Sequence, residues 1–77
     1  MTAVRKHSVS IRGHRTSISL ETPFFQELER IAAERGQALA AVVAEIDHDR
    51  PDDTNLSSAL RLFVLEQVKQ RVGLSRD

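Results

Sequence analysis

The run RTSISLETPFFQELERIAAERG, residues 15–36, constrains the fold more than any other part of this chain. Thr16, Ile18 and Leu20 alternate with Ser17 and Ser19, which is the period of a half-buried strand. The chain then passes at once into apolar positions at helical spacing. A strand this short has one apolar face and two open edges, and alone it buries too little to offset the entropy of ordering it. It needs a partner strand. The partner comes from residues 7–12 or from the identical strand of a second copy.

The upstream segment HSVSIRGH can supply the first solution. Val9 and Ile11 alternate with Ser8 and Ser10, and Gly13-His14 fits a two-residue turn with glycine first. That register sets Ile11 opposite Thr16 and Val9 opposite Ile18, and it gathers Ser8, Ser10, Ser17 and Ser19 on the other face. The second solution leaves a bent arm and puts only residues 15–21 in a ribbon. The sequence leaves both open. Residues 1–6 read as a flexible basic arm in either case.

Thr22-Pro23 is a helix start: threonine can cap, and proline at the first helical position has no amide hydrogen to leave unpaired. Phe24, Phe25, Leu28, Ile31 and Ala32 then mark an apolar face, and Arg35-Gly36 is a C-terminal stop. The first helix is expected over 23–35. Leu39, Val42, Val43 and Ile46 predict a second over 38–48, with a poorly capped start at Gln37 and Ala38. DHDRPDDTN, 47–55, is a loop. Asn55 or Ser57 caps a third helix whose apolar stripe is Leu56, Leu60, Phe63, Val64, Val68 and Val72, fading near Gly73. The expected core includes Ile18, Leu20, Leu28, Ile31, Val43, Leu60 and Phe63.

A 77-residue chain has a thin core and usually needs a staple. It has no cysteine, which excludes disulfides and thiolate zinc sites. His7, His14 and His48 are far apart and lack ligand spacing. Oligomerisation remains, and a homodimer is expected. No apolar run approaches the roughly 18–20 residues of a membrane span, and the basic N-terminus lacks the apolar segment of a secretory signal. The expected location is the cytoplasm.

The net charge of zero hides an asymmetry. Residues 1–20 carry Arg5, Lys6, Arg12 and Arg15 with no acid, whereas residues 21–54 carry nine acids and three bases. For a polyanionic partner this local distribution matters more than the total. The basic block abuts the serine face of the strand, and a two-stranded ribbon fits a DNA major groove.

Other chemistries fail on inspection. The acids Asp47, Asp49, Asp52 and Asp53 suggest a calcium loop, but an EF-hand frame begun at Asp47 puts Pro51 at its fifth position and Ser58 at its bidentate glutamate. No glycine-framed serine, oriented histidine or glycine-rich phosphate loop supports catalysis. No enzyme activity, cofactor, metal or small-molecule ligand is expected. Phe24-Phe25 falls at core phase rather than on a stacking platform. Glu21 would be repelled by phosphate on an outward face, and its place before Thr22-Pro23 suits a helix N-terminus.

Taken together, the alternating strand ending at Leu20, the apolar pattern Phe24-Phe25-Leu28-Ile31-Ala32, Gly36 and the following helix resemble the ribbon-helix-helix family. HRTSISLE with the later NLSSALRLFVLE is similar to short stand-alone bacterial members. The resemblance implies a mainly α fold with a short β-ribbon, an intertwined homodimer, and an extra C-terminal helix. The domain would span 7–72, followed by a frayed tail at 73–77. It also implies a small transcriptional regulator that binds double-stranded DNA sequence-specifically with its ribbon in the major groove. Arg15, Ser17 and Ser19 would read bases. Arg5, Lys6, Arg12 and the backbone amides of Ala38, Leu39 and Ala40 would meet phosphate. Ala38 departs from the small hydroxyl usual at the second helix's start, and Asn55-Leu56-Ser57-Ser58 is an alternative match to it. A hairpin from residues 7–12 would widen a dimeric ribbon to four strands, too broad for a groove of about 12 Å. Alternative readings are a dimeric protein-interaction module with no DNA binding, and an antitoxin.

Overall fold

The computed structural model describes the backbone of residues 3–76 and the side chains of residues 3–71. Strands β1 (Val4–Ile11) and β2 (His14–Glu21) lead into three helices, α1 (Thr22–Arg35), α2 (Leu39–Asp49) and α3 (Leu56–Arg76). The partner strand therefore comes from the same chain: β1 and β2 form an antiparallel hairpin. Val4, Arg5 and Lys6, expected in a flexible arm, are part of β1. The arm's first two residues lie outside the described ones.

The turn differs from the expected one. Arg12 and Gly13 occupy it with φ of 52° and 81°. Positive φ at both central positions makes a primed turn whose twist matches that of the strands, with glycine at the second position rather than the first. The register accordingly slides by two: Ile11 faces His14, Val9 faces Thr16, and His7 faces Ile18. A slide of two leaves every side chain on its expected face, which a slide of one would not. The ladder also ends at Val4 opposite Glu21, just where Thr22-Pro23 turns the chain into a helix.

The apolar face of the hairpin and the helices enclose the core. Ile18, Leu20, Leu28, Ile31, Val43 and Leu60 are buried as expected, and Val9, Ile11, Ala32, Val42 and Val64 join them. Phe63 does not; it is only half-buried, with the Arg35 guanidinium 5.2 Å from its ring centre. The inward phase of α3 runs through Leu60 and Val64, so Phe63 sits at the flank of that stripe. Val68 is exposed too, and with Leu62 and Leu65 it leaves an apolar strip on the outer side of α3.

Helix ends follow from local chemistry. Gly36, with φ of 66°, closes α1: its amide donates to the Ala33 carbonyl and that of Gln37 to Ala32. Thr22 is the first helical residue rather than the cap, a position held by Glu21 without a side-chain cap bond. Ala38 likewise precedes α2 without a side-chain cap. Asn55 caps α3, its Oδ1 accepting from the Ser58 amide at 2.8 Å. The helical path continues through Gly73 to Arg76. Arg50 orders the acidic loop by donating to Asp47 and to the Thr54 carbonyl. Arg71 ties α3 to Glu34 and Glu27 of α1.

Candidate nucleic-acid interface

Alternation sorts the hairpin into two faces. His7, Val9, Ile11, Thr16, Ile18 and Leu20 face the helices. The ring of His7 stacks on Phe25 with centroids 3.8 Å apart, and its Nε2 lies 3.3 Å from the Leu20 carbonyl. His7 is thus a brace between the hairpin and α1. The opposite face presents Lys6, Ser8, Ser10, Arg15 and Ser17, all exposed, with Ser19 partly covered.

The register sets Ser10 beside Arg15, Ser8 beside Ser17 and Lys6 beside Ser19. Because a two-residue turn makes Ile11 and His14 the hydrogen-bonded closing pair, these outward pairs are the non-hydrogen-bonded ones, whose side chains stand closer together. The base-reading residues expected from sequence therefore share a face, and their immediate neighbours are serines and a lysine of the same chain. Ser8 and Ser10 were not assigned to the site by sequence reasoning. The signal was their alternation with Val9 and Ile11, which acquires this meaning only once the hairpin is known.

The expected phosphate contacts divide into separate groups. Arg12 lies in the turn, whereas Arg5 and Lys6 lie near the other end of a strand of eight residues, about 23 Å away at 3.3 Å per residue. Arg5 shares the inward phase of His7 and Val9, yet at the open end of the ribbon it stays exposed. Arg12 borders a surface depression with Ala44, Glu45, His48 and Asp49 of α2. The C-terminal half of α2 thus adjoins the ribbon tip, and Ala38, Leu39 and Ala40 at the helix start are not brought to the tip. The amides of Leu39 and Ala40 take no backbone acceptor among the described turn and cap bonds, while that of Ala41 donates to Ala38.

Two contacts fix the base of the ribbon. The Ser57 hydroxyl donates to the Ser19 carbonyl at 2.7 Å, and Arg61 Nε donates to Glu21 Oε1 at 2.8 Å. Both join α3 to the free edge of β2. The Arg61 guanidinium also explains Glu21, which is compensated across the fold rather than by the helix terminus alone. Its hydrogen bond holds the Glu21 carboxyl below the usual carboxylate range. The sign follows: a depressed folded pKa contributes stability above the ordinary carboxylate pKa, and that contribution disappears as pH falls through the folded value. Glu21→Gln is therefore expected to be less stable than wild type at neutral pH, with the two denaturation midpoints converging in acid once the Glu21 carboxyl is protonated. A difference that persists in acid would mean the ion pair is not its source.

No group of three or more metal-ligating side chains occurs among the described residues, and none of their helices is long and apolar enough to cross a membrane. The arrangement offers a cationic, hydroxyl-bearing ribbon face standing clear of a helical base. A family model described as a ribbon-helix-helix domain matches residues 4–68, from the start of β1 into α3. No curated protein and no solved structure matches the chain.

Proposed function

This chain belongs to the ribbon-helix-helix family, and from that premise we propose that it is a homodimeric transcriptional regulator that binds double-stranded DNA sequence-specifically, its ribbon in the major groove. Members of the family are in general non-enzymatic, DNA-binding regulators or antitoxin-type proteins. The observation that carries the reading is the outward ribbon face: exposed Lys6, Arg15 and Ser17 on a two-stranded element. Such a ribbon suits the groove's width, arginine is bidentate to guanine, and hydroxyls exchange hydrogen bonds with base edges. Glu21, the one carboxylate of the ribbon, is engaged by Arg61. The Arg61 guanidinium offsets the repulsion that this carboxylate would exert on phosphate.

Arg15, Ser17 and Ser19 are the proposed base readers, with Ser19 the least accessible. Arg5, Lys6, Arg12 and the amides of Ala38, Leu39 and Ala40 are the proposed phosphate contacts, the ribbon cations carrying most of the affinity. The proposed setting is the cytoplasm. Selection from a random duplex pool is expected to return a preferred site. Arg15→Ala is expected to erode preference for it over scrambled DNA by about 1–3 kcal/mol, the worth of a bidentate contact. Arg5→Ala is expected to weaken both duplexes alike. Equal binding of all duplexes by wild type would remove sequence reading from the proposal.

The homodimer is supported by the thin core and by the apolar strip on α3, where Leu62 is 60% and Leu65 50% exposed. Those side chains are what a second copy would cover. The melting temperature is expected to rise with protein concentration, because association stabilises by mass action. Leu65→Glu is expected to shift sedimentation toward the monomer. A wild-type monomer at every concentration would overturn the dimer.

A further inference from the structure

Helices α2 and α3 are joined by residues 50–55, and an open groove of about 540 Å³ lies between them. We propose that this groove is a docking site for a basic amphipathic helix of a partner protein. It lies on the helical side of the hairpin, and the proposal does not depend on DNA binding.

The shape of the groove comes from two matching stripes. Helix α2 lines it with Val42, Glu45, Ile46 and Asp49. Helix α3 lines it with Ala59, Leu62, Phe63 and Glu66. Both sets are spaced i, i+3, i+4, i+7, the repeat of one helix face, so each wall is two turns, or about 10 Å, long. The apolar side chains form the trough: Val42 is fully buried at its floor, whereas Leu62 is 60% exposed at its lip. A third helix laid along two such walls would set anchor side chains one turn apart into the trough, as amphipathic helices do in apolar grooves.

Charge selects the occupant. Glu45 and Asp49 on one wall and Glu66 on the other are exposed carboxylates. The two cations of the lining are already held. Arg50 donates to Asp47 and to the Thr54 carbonyl, and the Arg35 guanidinium lies over the Phe63 ring. The surroundings have the same sign: residues 45–53 carry five acids (Glu45, Asp47, Asp49, Asp52 and Asp53) against one base, Arg50. Carboxylates along an apolar trough complement a helix whose apolar stripe is flanked by lysine or arginine, and an acidic helix would meet like charge on both walls. The outer strip of α3 in a second copy fits less well, because its own Glu66 borders it. Leu65 and Val68 of that strip also line a separate apolar hollow with Pro23 and Phe24, on the α1 flank. A second copy can be received there with the α2–α3 groove left open.

The test uses the full-length chain and three labelled 14-residue peptides, read by fluorescence anisotropy. One has leucine at i, i+3, i+4 and i+7 with lysine elsewhere; the second replaces lysine by glutamate; the third replaces leucine by serine. Only the leucine–lysine peptide is expected to bind saturably, one per chain. Glu45→Lys/Glu66→Lys changes two exposed side chains, and circular dichroism would verify its fold. It is expected to weaken that peptide about tenfold, the upper worth of two exposed ion pairs turned to repulsion. Leu62→Ser is expected to weaken it about fivefold through lost apolar burial. Equal binding of the leucine–glutamate peptide, or of the serine–lysine peptide, would overturn the proposal, as would unchanged affinity in the double variant. A double variant that sediments as a monomer where wild type is a dimer would show that a second copy fills the groove, which also overturns it.

Discussion

Raising salt from 50 to 200 mM is expected to weaken duplex binding about a thousandfold. On the proposed reading each copy offers Arg5, Lys6 and Arg12 to phosphate, so a dimer engaging all of them would neutralise six. Every phosphate neutralised releases condensed counterions and contributes about −0.9 to the slope of log affinity against log salt, giving a slope near −5. The geometry makes the prediction divisible. Arg12 in the turn and the Arg5–Lys6 pair near the other end are separated by most of the ribbon's length, so each group can be removed alone. Arg12→Ala changes two residues per dimer and is expected to flatten the slope by about 1.8. A wild-type slope near −2 would mean that only one end of each ribbon reaches the backbone. Absence of binding to any duplex at low salt would remove the regulator reading and favour a module that contacts protein.

The largest stability effect is expected at Leu28. It is fully buried and belongs to the same cluster as Leu20, Val43, Leu60 and Val64, so α1, the ribbon, α2 and α3 share its surroundings. Leu28→Ala removes buried methyl groups and leaves a cavity that helices held on three sides cannot fill. The expected cost is about 2–5 kcal/mol. A small domain has a total stability near the low end of about 5–15 kcal/mol, so this one change can unfold it. Glu29→Ala, one residue on and exposed, is expected to stay within about 0.5 kcal/mol. Urea titrations of the two variants provide the comparison. A loss below about 1 kcal/mol for Leu28→Ala would mean that the helix packs through another face.

Sequence reasoning reached those features that are settled within a few residues. Helix α1 was legible because Pro23 and Gly36 bracket it and the apolar positions between them recur at helical spacing. The faces of the ribbon were legible because alternation fixes them whatever the register. The register itself was not: Gly13 serves a primed turn as its first or its second central residue, and both versions put Val9 and Ile11 inward. What decides is the length of ladder available before Pro23. Phe63 was misplaced because Phe63 and Val64 are adjacent on α3, and only the position of α1 and the ribbon tells which points inward. The roles of Ser57 and Arg61 were not legible at all. Their partners lie 38 and 40 residues away, and no local pattern marks a pair formed by tertiary packing. For the candidate site, Arg15 and Ser17 were found on the predicted face. Ser8 and Ser10 could gain a role only after β1 was known to pair with β2.

The alternation of the ribbon also bears on how such a protein can diverge. Ser8, Ser10, Arg15 and Ser17 are exposed on the face of the hairpin turned away from the helices. Exchanging any of them costs the fold little, within about 0.5 kcal/mol for a surface site of this kind. Their neighbours Val9, Ile11 and Ile18, one step along the same strands, are held by the core and cannot vary so freely. Given the DNA-reading role proposed for this face, duplicated copies of the chain could acquire new target preferences by changing every second residue of one hairpin, while inheriting the same folded body intact.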